Sequence, residues 1–531
     1  MRTQEMQEKH RMQKMQKMQK MQRTPEMPEL NRLPRPLGAL LFGALALISG
    51  CSVVTTSDIS SSVNLPEAYS EGQSAAADSG TDNSGANTDI RSWWTRWEDP
   101  ELDRLVAAAL EANPDLNIAR SRIREADAMA AMADADLNPA AEFALGGNAG
   151  KMSATSPSPM FGKKIRGNPR SITGSLSASW EIDLFGKKKS ESDMYAYRAL
   201  SARDMANAAR IAVAASVART YFETVAAGEE LELLRESIAS LSEMKRYVKG
   251  RFDAGQATSY DLEHITNEIT KKEAFLQLLE AKRKNYVRAL AVLTGKTPQD
   301  FTDTFPRELK TADRAPAPPQ GVYPADLLQN RPDLMAKSNE IKALAAQVAS
   351  ATADLYPRLS LSFIWDSGTI HISNDFANVK TWAGLAGLDF SVPIFTGGRI
   401  RANIDLADAK LKTALIEYDK KLLESLAEVD NSYSLARGYS DREAALLKAL
   451  KEARHLCVTT KKMFELDASD YDRVIDARLN EISLKNELLA AKLDYHRSLT
   501  DLYRSLGGGW DPGAAAAEES GQSQKEPEDD R

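Results

Sequence analysis

The stretch Ile172 to Leu184, ITGSLSASWEIDL, decides how the rest of the chain is read. Ile172, Gly174, Leu176, Ala178, Trp180, Ile182 and Leu184 are apolar or small, while Thr173, Ser175, Ser177, Ser179, Glu181 and Asp183 are polar. A period of two this strict gives an extended segment whose two faces meet two different solvents. About thirteen residues at about 3.3 Å each, tilted by about 45°, cover roughly the 30 Å hydrocarbon core of a bilayer. The stretch reads as a strand of a membrane β-barrel, with Ile172, Leu176, Trp180 and Ile182 toward lipid. The FGKKK that follows it starts a helix.

A second copy lies downstream. Trp382, Gly384, Ala386, Leu388, Phe390, Val392 and Ile394 alternate in the same way, with Leu388 and Phe390 toward lipid, although Ala383 and Leu385 blur the polar face. Gly186 and Gly398, which follow the two strands, are 212 positions apart, as are Gly295 and Gly507. Upstream, Pro114-Asp115-Leu116 matches Pro332-Asp333-Leu334, and Pro139 matches Pro357, at a spacing of 218. The chain is one unit written twice, with the length difference confined to the hairpin. Both spacings are even, so outward positions of one copy match outward positions of the other.

Hydrophobic residues at 43% and charged residues at 27% look like a soluble protein, but a barrel strand is invisible to hydropathy because half its residues are polar. A net charge of -7 argues against general nucleic-acid binding, so no nucleic-acid partner is expected. Residues 1–50 read as a secretory signal behind a low-complexity extension: Arg32 and Arg35 precede the apolar run PLGALLFGALALISG. Ile48-Ser49-Gly50-Cys51 looks like a lipobox, which makes Cys51 the lipid attachment point. From there to residue 90 the Ser, Ala, Asp, Gly and Asn content reads as a flexible tether.

The first repeat is expected over 91–296 and the second over 324–510, joined by a linker at 297–323 and followed by an acidic disordered tail at 511–531. Each holds short helices, a β-hairpin (140–184 and 359–394) and a long antiparallel helix pair, turning near 251–259 and near 464–471. Gly150 to Arg170 and Ser367 to Lys380 read as loops. Ser190 to Lys249 has no proline, so about 60 residues form a helix on the order of 90 Å long, broken at Lys249-Gly250. In the last helix Ile475, Leu479, Ile482, Asn486, Leu489, Leu493, His496 and Leu499 step by 4 and 3, the narrow seam of helices packed almost parallel. Trp93, Trp94 and Trp97 either wedge between helices or sit at the membrane interface.

Four strands cannot close a membrane barrel, for which about eight is the minimum, and open strand edges in lipid cost several kcal/mol per unpaired group. The chain must therefore oligomerise, with its polar rods hanging from the barrel as a tube. The fold class is mostly α with a membrane β-barrel, internally duplicated.

The segments WEDPELDRL, SWEIDLFGK, RFDAGQATSYDL, NRPDLMAKSNEIKALAAQVASATADLYPRLSLS, VPIFTGGR and LYRSLGGGW, in this order over Trp93 to Trp510, resemble the outer-membrane efflux proteins of the TolC type. The likeness is to the lipoprotein channels that serve resistance-nodulation-division pumps. It implies a homotrimer with a trimeric 12-stranded β-barrel continued by a periplasmic helical tube, seated in the outer membrane and docked onto a periplasmic adaptor and an inner-membrane pump. It also implies that Arg251, Gly255 and Ser259 form an adaptor-contact tip; the second tip departs from the pattern, with Asp467 where a glycine is usual. By symmetry, a pore-facing carboxylate among Asp470, Asp472 and Asp476 becomes a ring at a periplasmic gate that favours cations, and Arg473 pairs with one of these aspartates.

No constellation supports an enzyme, and no cofactor or metal is expected; His10, His264, His371, His455 and His496 show no ligand spacing. The leading reading is a passive exit duct for small molecules. A duct for type I protein secretion and a non-conducting lipid-anchored periplasmic spacer remain as alternatives.

Overall fold

In the computed structural model the described residues are 63–66, 68–69, 90–154, 165–302, 304–306, 315–319, 323–372, 377–466 and 468–511. All of them belong to one compact unit, Thr56–Arg531. Cys51 and the signal segment lie outside the described residues, as does the tail beyond Asp511.

After a 3-10 turn at Trp93–Trp97 come α1 (Pro100–Ala112), α2 (Pro114–Ala135), β1 (Ala140–Ala149), β2 (Met152–Ala154), β3 (Ile165–Gly167), β4 (Pro169–Ile182), α3 (Lys187–Asp253) and α4 (Ser259–Leu293). The second unit repeats the order with a 3-10 turn at Pro324–Asp326, α5 (Leu327–Asn330), α6 (Pro332–Ala353), β5 (Arg358–Ile372), β6 (Ala377–Ser391), α7 (Arg399–Glu465) and α8 (Tyr471–Ser505). The duplication is preserved to the residue in the helices. The long helices α3 and α7 both have 67 residues, α4 and α8 both have 35, and α2 and α6 both have 22. At about 1.5 Å per residue α3 and α7 are rods of about 100 Å.

The four long strands form one antiparallel sheet in the order β1-β4-β5-β6, with β1 and β6 as unpaired edges. Register sorts the side chains by face. Phe143 lies opposite Leu176, Leu176 opposite Trp365, and Trp365 opposite Gly384; Ala178 faces Phe363, Trp180 faces Leu361, and Leu361 faces Leu388. The other face carries Ser177, Ser179 and Glu181 of β4, opposite Ile364, Ser362 and Ser360. Ile364 stands opposite Leu385, so the apolar intrusion noted in the second strand is paired across the polar face.

The strands are longer than their alternation indicated. β5 and β6 extend into the supposed loop 367–380, as far as Ile372 and from Ala377, and β2 pairs with β3 inside the supposed loop 150–170. A ladder needs only backbone partners, so it continues past the apolar band into polar sequence. At the other end β4 stops at Ile182 and β6 at Ser391, which leaves Leu184, Val392 and Ile394 beyond the sheet. Helix α3 also runs through Lys249-Gly250 to Asp253, since one exposed glycine costs only about 1 kcal/mol in a helix.

The main core knots the two units together. Trp93 and Trp97 are buried with Leu102, Leu105, Tyr221, Phe222, Leu290, Leu499 and Tyr503; Trp93 stacks on Tyr503 at 5.5 Å, and Trp97 donates its indole hydrogen to Nδ1 of His496 at 2.7 Å. The tryptophans are thus wedges between helices, and burial holds the His496 imidazole down at about 3, keeping it neutral. A second core gathers Leu327, Leu334, Leu422, Val429, Tyr433, Leu502 and Leu506 around Tyr69, with Val63 and Leu65 beside it. The flexible-tether reading of 51–90 fails at these positions. Three apolar side chains in a polar segment suffice to strap it to the body. The linker is held too, through buried Phe305 and a 2.7 Å hydrogen bond from the Tyr433 hydroxyl to the Pro319 carbonyl.

Where each unit's first helices meet its last one, quasi-equivalent residues do the same work with different chemistry. Asn113 caps α2 through Asp115 N and Leu116 N, and its amide donates to Leu293 O at 2.8 Å. Its counterpart Arg331 donates to the equivalent carbonyl, Ser505 O, at 3.0 Å, and pairs with Asp333 at 2.8 Å and Glu428 at 2.9 Å. Gly295 and Gly507 follow at φ 70° and 81°, where a Cβ would stand 2.4 Å from Ala112 O and 2.2 Å from Asn330 O. Only glycine fits either junction.

Candidate functional site: the helix tips

The two long helix pairs turn at the end of the molecule away from the sheet. At the first turn α3 stops at Asp253, Gly255 takes φ 75°, and Gln256 N donates back to Arg251 O at 2.7 Å. Thr258 then caps α4 in a closed box: its hydroxyl accepts from Asp261 N, and the Asp261 carboxylate accepts from Thr258 N at 2.9 Å. Arg251 is partly buried, and Gly255 and Ser259 are exposed at the apex.

The second turn keeps one backbone hydrogen bond of the first, Ala468 N donating to Met463 O at 2.8 Å as Gln256 N does to Arg251 O. Its cap differs. Asp470 is the N-cap of α8 but its side chain makes no cap hydrogen bond. The acid of the box has become Arg473, which points out exposed and forms no ion pair among the described residues; the expected pairing of Arg473 with an aspartate is not made. The guanidinium that does reach an aspartate is Arg251, which meets Asp472 at 3.7 Å across the two turns and lies 5.9 Å over the Tyr247 ring. Beside it Tyr247 packs on Tyr471 at 4.8 Å, and Tyr471 on Phe464 at 5.0 Å. This aromatic cluster was not singled out in the sequence, because its members come from three helices.

Asp472 is the electrostatically loaded member of the acidic set. Burial raises its carboxyl above the usual carboxylate range; Arg251 opposes this, and Asp470, Asp476 and Asp261 add repulsion. Asp470 and Asp476 are exposed. Above the tip, α3 and α8 are joined by further ion pairs: Glu243 with Arg478 at 3.5 Å, Glu236 with Lys485 at 3.4 Å, Glu223 with Arg497 at 2.6 Å, and Arg219 with Asp501. The α8 seam faces inward as its spacing predicts, with Ile475, Ile482, Leu489, His496 and Leu499 buried.

The residues expected toward lipid share one face of the sheet: Ile172, Leu176, Leu388 and Phe390 are exposed on the isolated chain, and Trp180 and Ile182 are half-buried near its helical end. Trp180 there donates to Leu137 O at 2.9 Å. No helix among the described residues is long and apolar enough to cross a membrane.

The sequence profile of the family described as "Outer membrane efflux protein" matches residues 105–296 and 323–508. The chain belongs to the outer membrane efflux protein family. Among its relatives, TtgI, a toluene efflux pump outer membrane protein of Pseudomonas putida, is 27% identical over 416 residues, 78% of this chain and 86% of TtgI. CusC, a cation efflux system protein of Escherichia coli, is 25% identical over 487 residues, 89% of this chain and all of CusC. The CmeC outer membrane channel of Campylobacter jejuni has the same fold, with a TM-score of 0.72 at 23% identity over 88% of this chain and 98% of CmeC. The chain is an outer-membrane efflux channel and not an enzyme, and the duplicated barrel-and-tube fold is that of its relatives. Channels of this family are homotrimers that work with efflux pumps.

Proposed function

We propose that three copies of the chain close a twelve-stranded barrel continued by a helical tube, and that this is the exit duct of a tripartite pump. Small molecules cross it passively from periplasm to exterior. The reading is carried by the sheet, which is apolar on one face, polar on the other and open at β1 and β6. Edges left open in hydrocarbon cost several kcal/mol per unpaired group, and pairing β1 of one copy with β6 of the next removes them.

The tip built from Arg251, Gly255 and Ser259 meets the adaptor that links the tube to the inner-membrane pump. One carboxylate among Asp470, Asp472 and Asp476, repeated three times around the axis, forms a gate ring that favours cations, with the exposed Arg473 beside it. Cys51 carries the lipid, the signal at 1–50 is removed, and the repeats occupy 91–296 and 324–510. Relatives named for toluene and for cations share this architecture, so cargo is set by the pump that loads the duct.

Cysteine labelling at Ser179 and Trp180 in the full chain carrying Cys457→Ser, with Cys51 kept for the lipid, tests the barrel. A membrane-impermeant maleimide should react at Ser179 from the lumen and not at Trp180. Equal reaction at both, together with no conductance in planar bilayers, would discard the duct in favour of a periplasmic spacer.

A further inference from the structure

Register segregates the charges of β1, β4, β5 and β6 completely. All four of their carboxylates, Glu142, Glu181, Asp366 and Asp389, fall on the lumenal face. So does Arg358, at the helical end, where Asp354 holds it at 2.5 Å. Among the described residues of these four strands, the lipid-facing side has no carboxylate, and its only fixed charges are Arg170 and Lys380. Both sit at the hairpin end, one row or so past the apolar band that ends at Ile172 and Trp382. Both are exposed, and neither forms an ion pair among the described residues.

These two cations are grouped. Arg170 lies directly opposite His371, which is exposed on the same face, and Lys380 lies opposite Thr369, two residues from His371. Two strand spacings across and two residues along put the Arg170 and Lys380 backbones roughly 12 Å apart, with both side chains long enough to lean toward a group between them. A lone cation at this depth gains nothing from hydrocarbon, but the hairpin end is the one farthest from the periplasmic tube, at the outer-leaflet headgroups.

We propose that Arg170 and Lys380, flanked by His371 and Thr369, bind the phosphorylated headgroup of an outer-leaflet glycolipid. Arginine and lysine are the phosphate-binding side chains, and two of them at this separation suit a headgroup with two phosphates better than a glycerophospholipid with one. The site lies within one protomer, so the trimer carries three. The proposal rests on the apolar face being the lipid face.

The test uses the full-length trimer in nanodiscs, with deep-rough lipopolysaccharide, its enzymatically dephosphorylated form and phosphatidylglycerol as probes, followed by native mass spectrometry. The intact glycolipid should bind at least about tenfold more tightly than either other lipid, the double variant Arg170→Gln/Lys380→Gln should lose that preference, and Arg170→Lys/Lys380→Arg should keep most of it. Equal binding of the dephosphorylated form, an unchanged preference in the glutamine variant, or equal binding of phosphatidylglycerol overturns the site. Brominated acyl chains supply the separate control. They should quench Trp365 and Trp382 in every variant, and their failure to quench the wild type would overturn the lipid-face reading instead.

Discussion

The two helix turns share a closing backbone hydrogen bond and differ in what holds them. At the first, a left-handed Gly255 and the closed Thr258–Asp261 box stabilise the turn from within. At the second, 212 residues later, aspartate stands at the glycine position, Asp470 caps with its backbone only, and arginine stands where the box needs an acid. That turn rests on the packing of its own Phe464 on Tyr471, and from outside on two residues of α3, Tyr247 against Tyr471 and Arg251 beside Asp472. One tip is closed by its own cap and the other leans partly on its neighbour. The gate proposed at Asp470, Asp472 and Asp476 would use such an arrangement, since an element that moves must be held by contacts that can be released without unfolding it.

The same contrast at the unit junctions should give the largest effect. Arg331 is buried and bound to Asp333, Glu428 and Ser505 O, whereas Asn113 makes only neutral hydrogen bonds. Arg331→Gln removes the buried cation shared by the half-buried Asp333 and Glu428, which keep Lys421 and Arg504, and should cost about 2–3 kcal/mol, against about 1–2 kcal/mol for Asn113→Ala, read as trimer thermal stability. Equal losses would mean the two junctions are energetically interchangeable.

Acid should separate the junctions next. Burial works to raise the Asp333 carboxyl, but Arg331 and Lys421 outweigh it and bring it down to about 2. A lowered carboxylate contributes stability that is complete above the ordinary aspartate range and lost as pH falls toward its folded value. The second unit should therefore lose about 2 kcal/mol between roughly pH 4 and pH 2. Hydrogen exchange resolved to α6 and α2 would show α6 opening first, and simultaneous opening would reject the assignment.

At the tips, Asp261→Ala should loosen the first turn locally by opening the capping box, read as faster amide exchange at the start of α4. The reciprocal change Arg473→Glu should supply the missing acid opposite Asp470, stiffen the second turn and lower the open probability in planar-bilayer recordings. If Arg473→Glu opens the channel, the added acid acts by repelling its neighbours and not as a cap.

The smallest effect belongs to Asp472, which is half-exposed and 3.7 Å from Arg251, so their pair is weak. Its carboxyl is raised, so the closed packing is favoured when Asp472 is protonated and loses that contribution as pH rises through its folded value. Open probability should fall modestly on acidification below the physiological range, and Asp472→Asn should flatten the profile.

Much of the fold was legible because its signals are local and repeated. Alternation from Ile172 to Ile182 assigns the faces of β4 from one segment alone, and the paired glycines at 212 residues set the helix lengths that the structure keeps. The strap at Tyr69 was not legible, because three apolar residues in a polar segment give no period. Nor was the packing of the tryptophans, whose partners Phe222, His496 and Tyr503 lie on helices far along the chain.

By itself the sequence determined which residues share a strand face, where the chain repeats and where its rods turn. Only the tertiary structure decided which arginine meets which aspartate at the tips, and that the second turn borrows part of its support from α3. Periodicity is written between near neighbours, whereas the Arg251–Asp472 pair depends on the register of two helices whose contacting residues are over 200 positions apart in the chain.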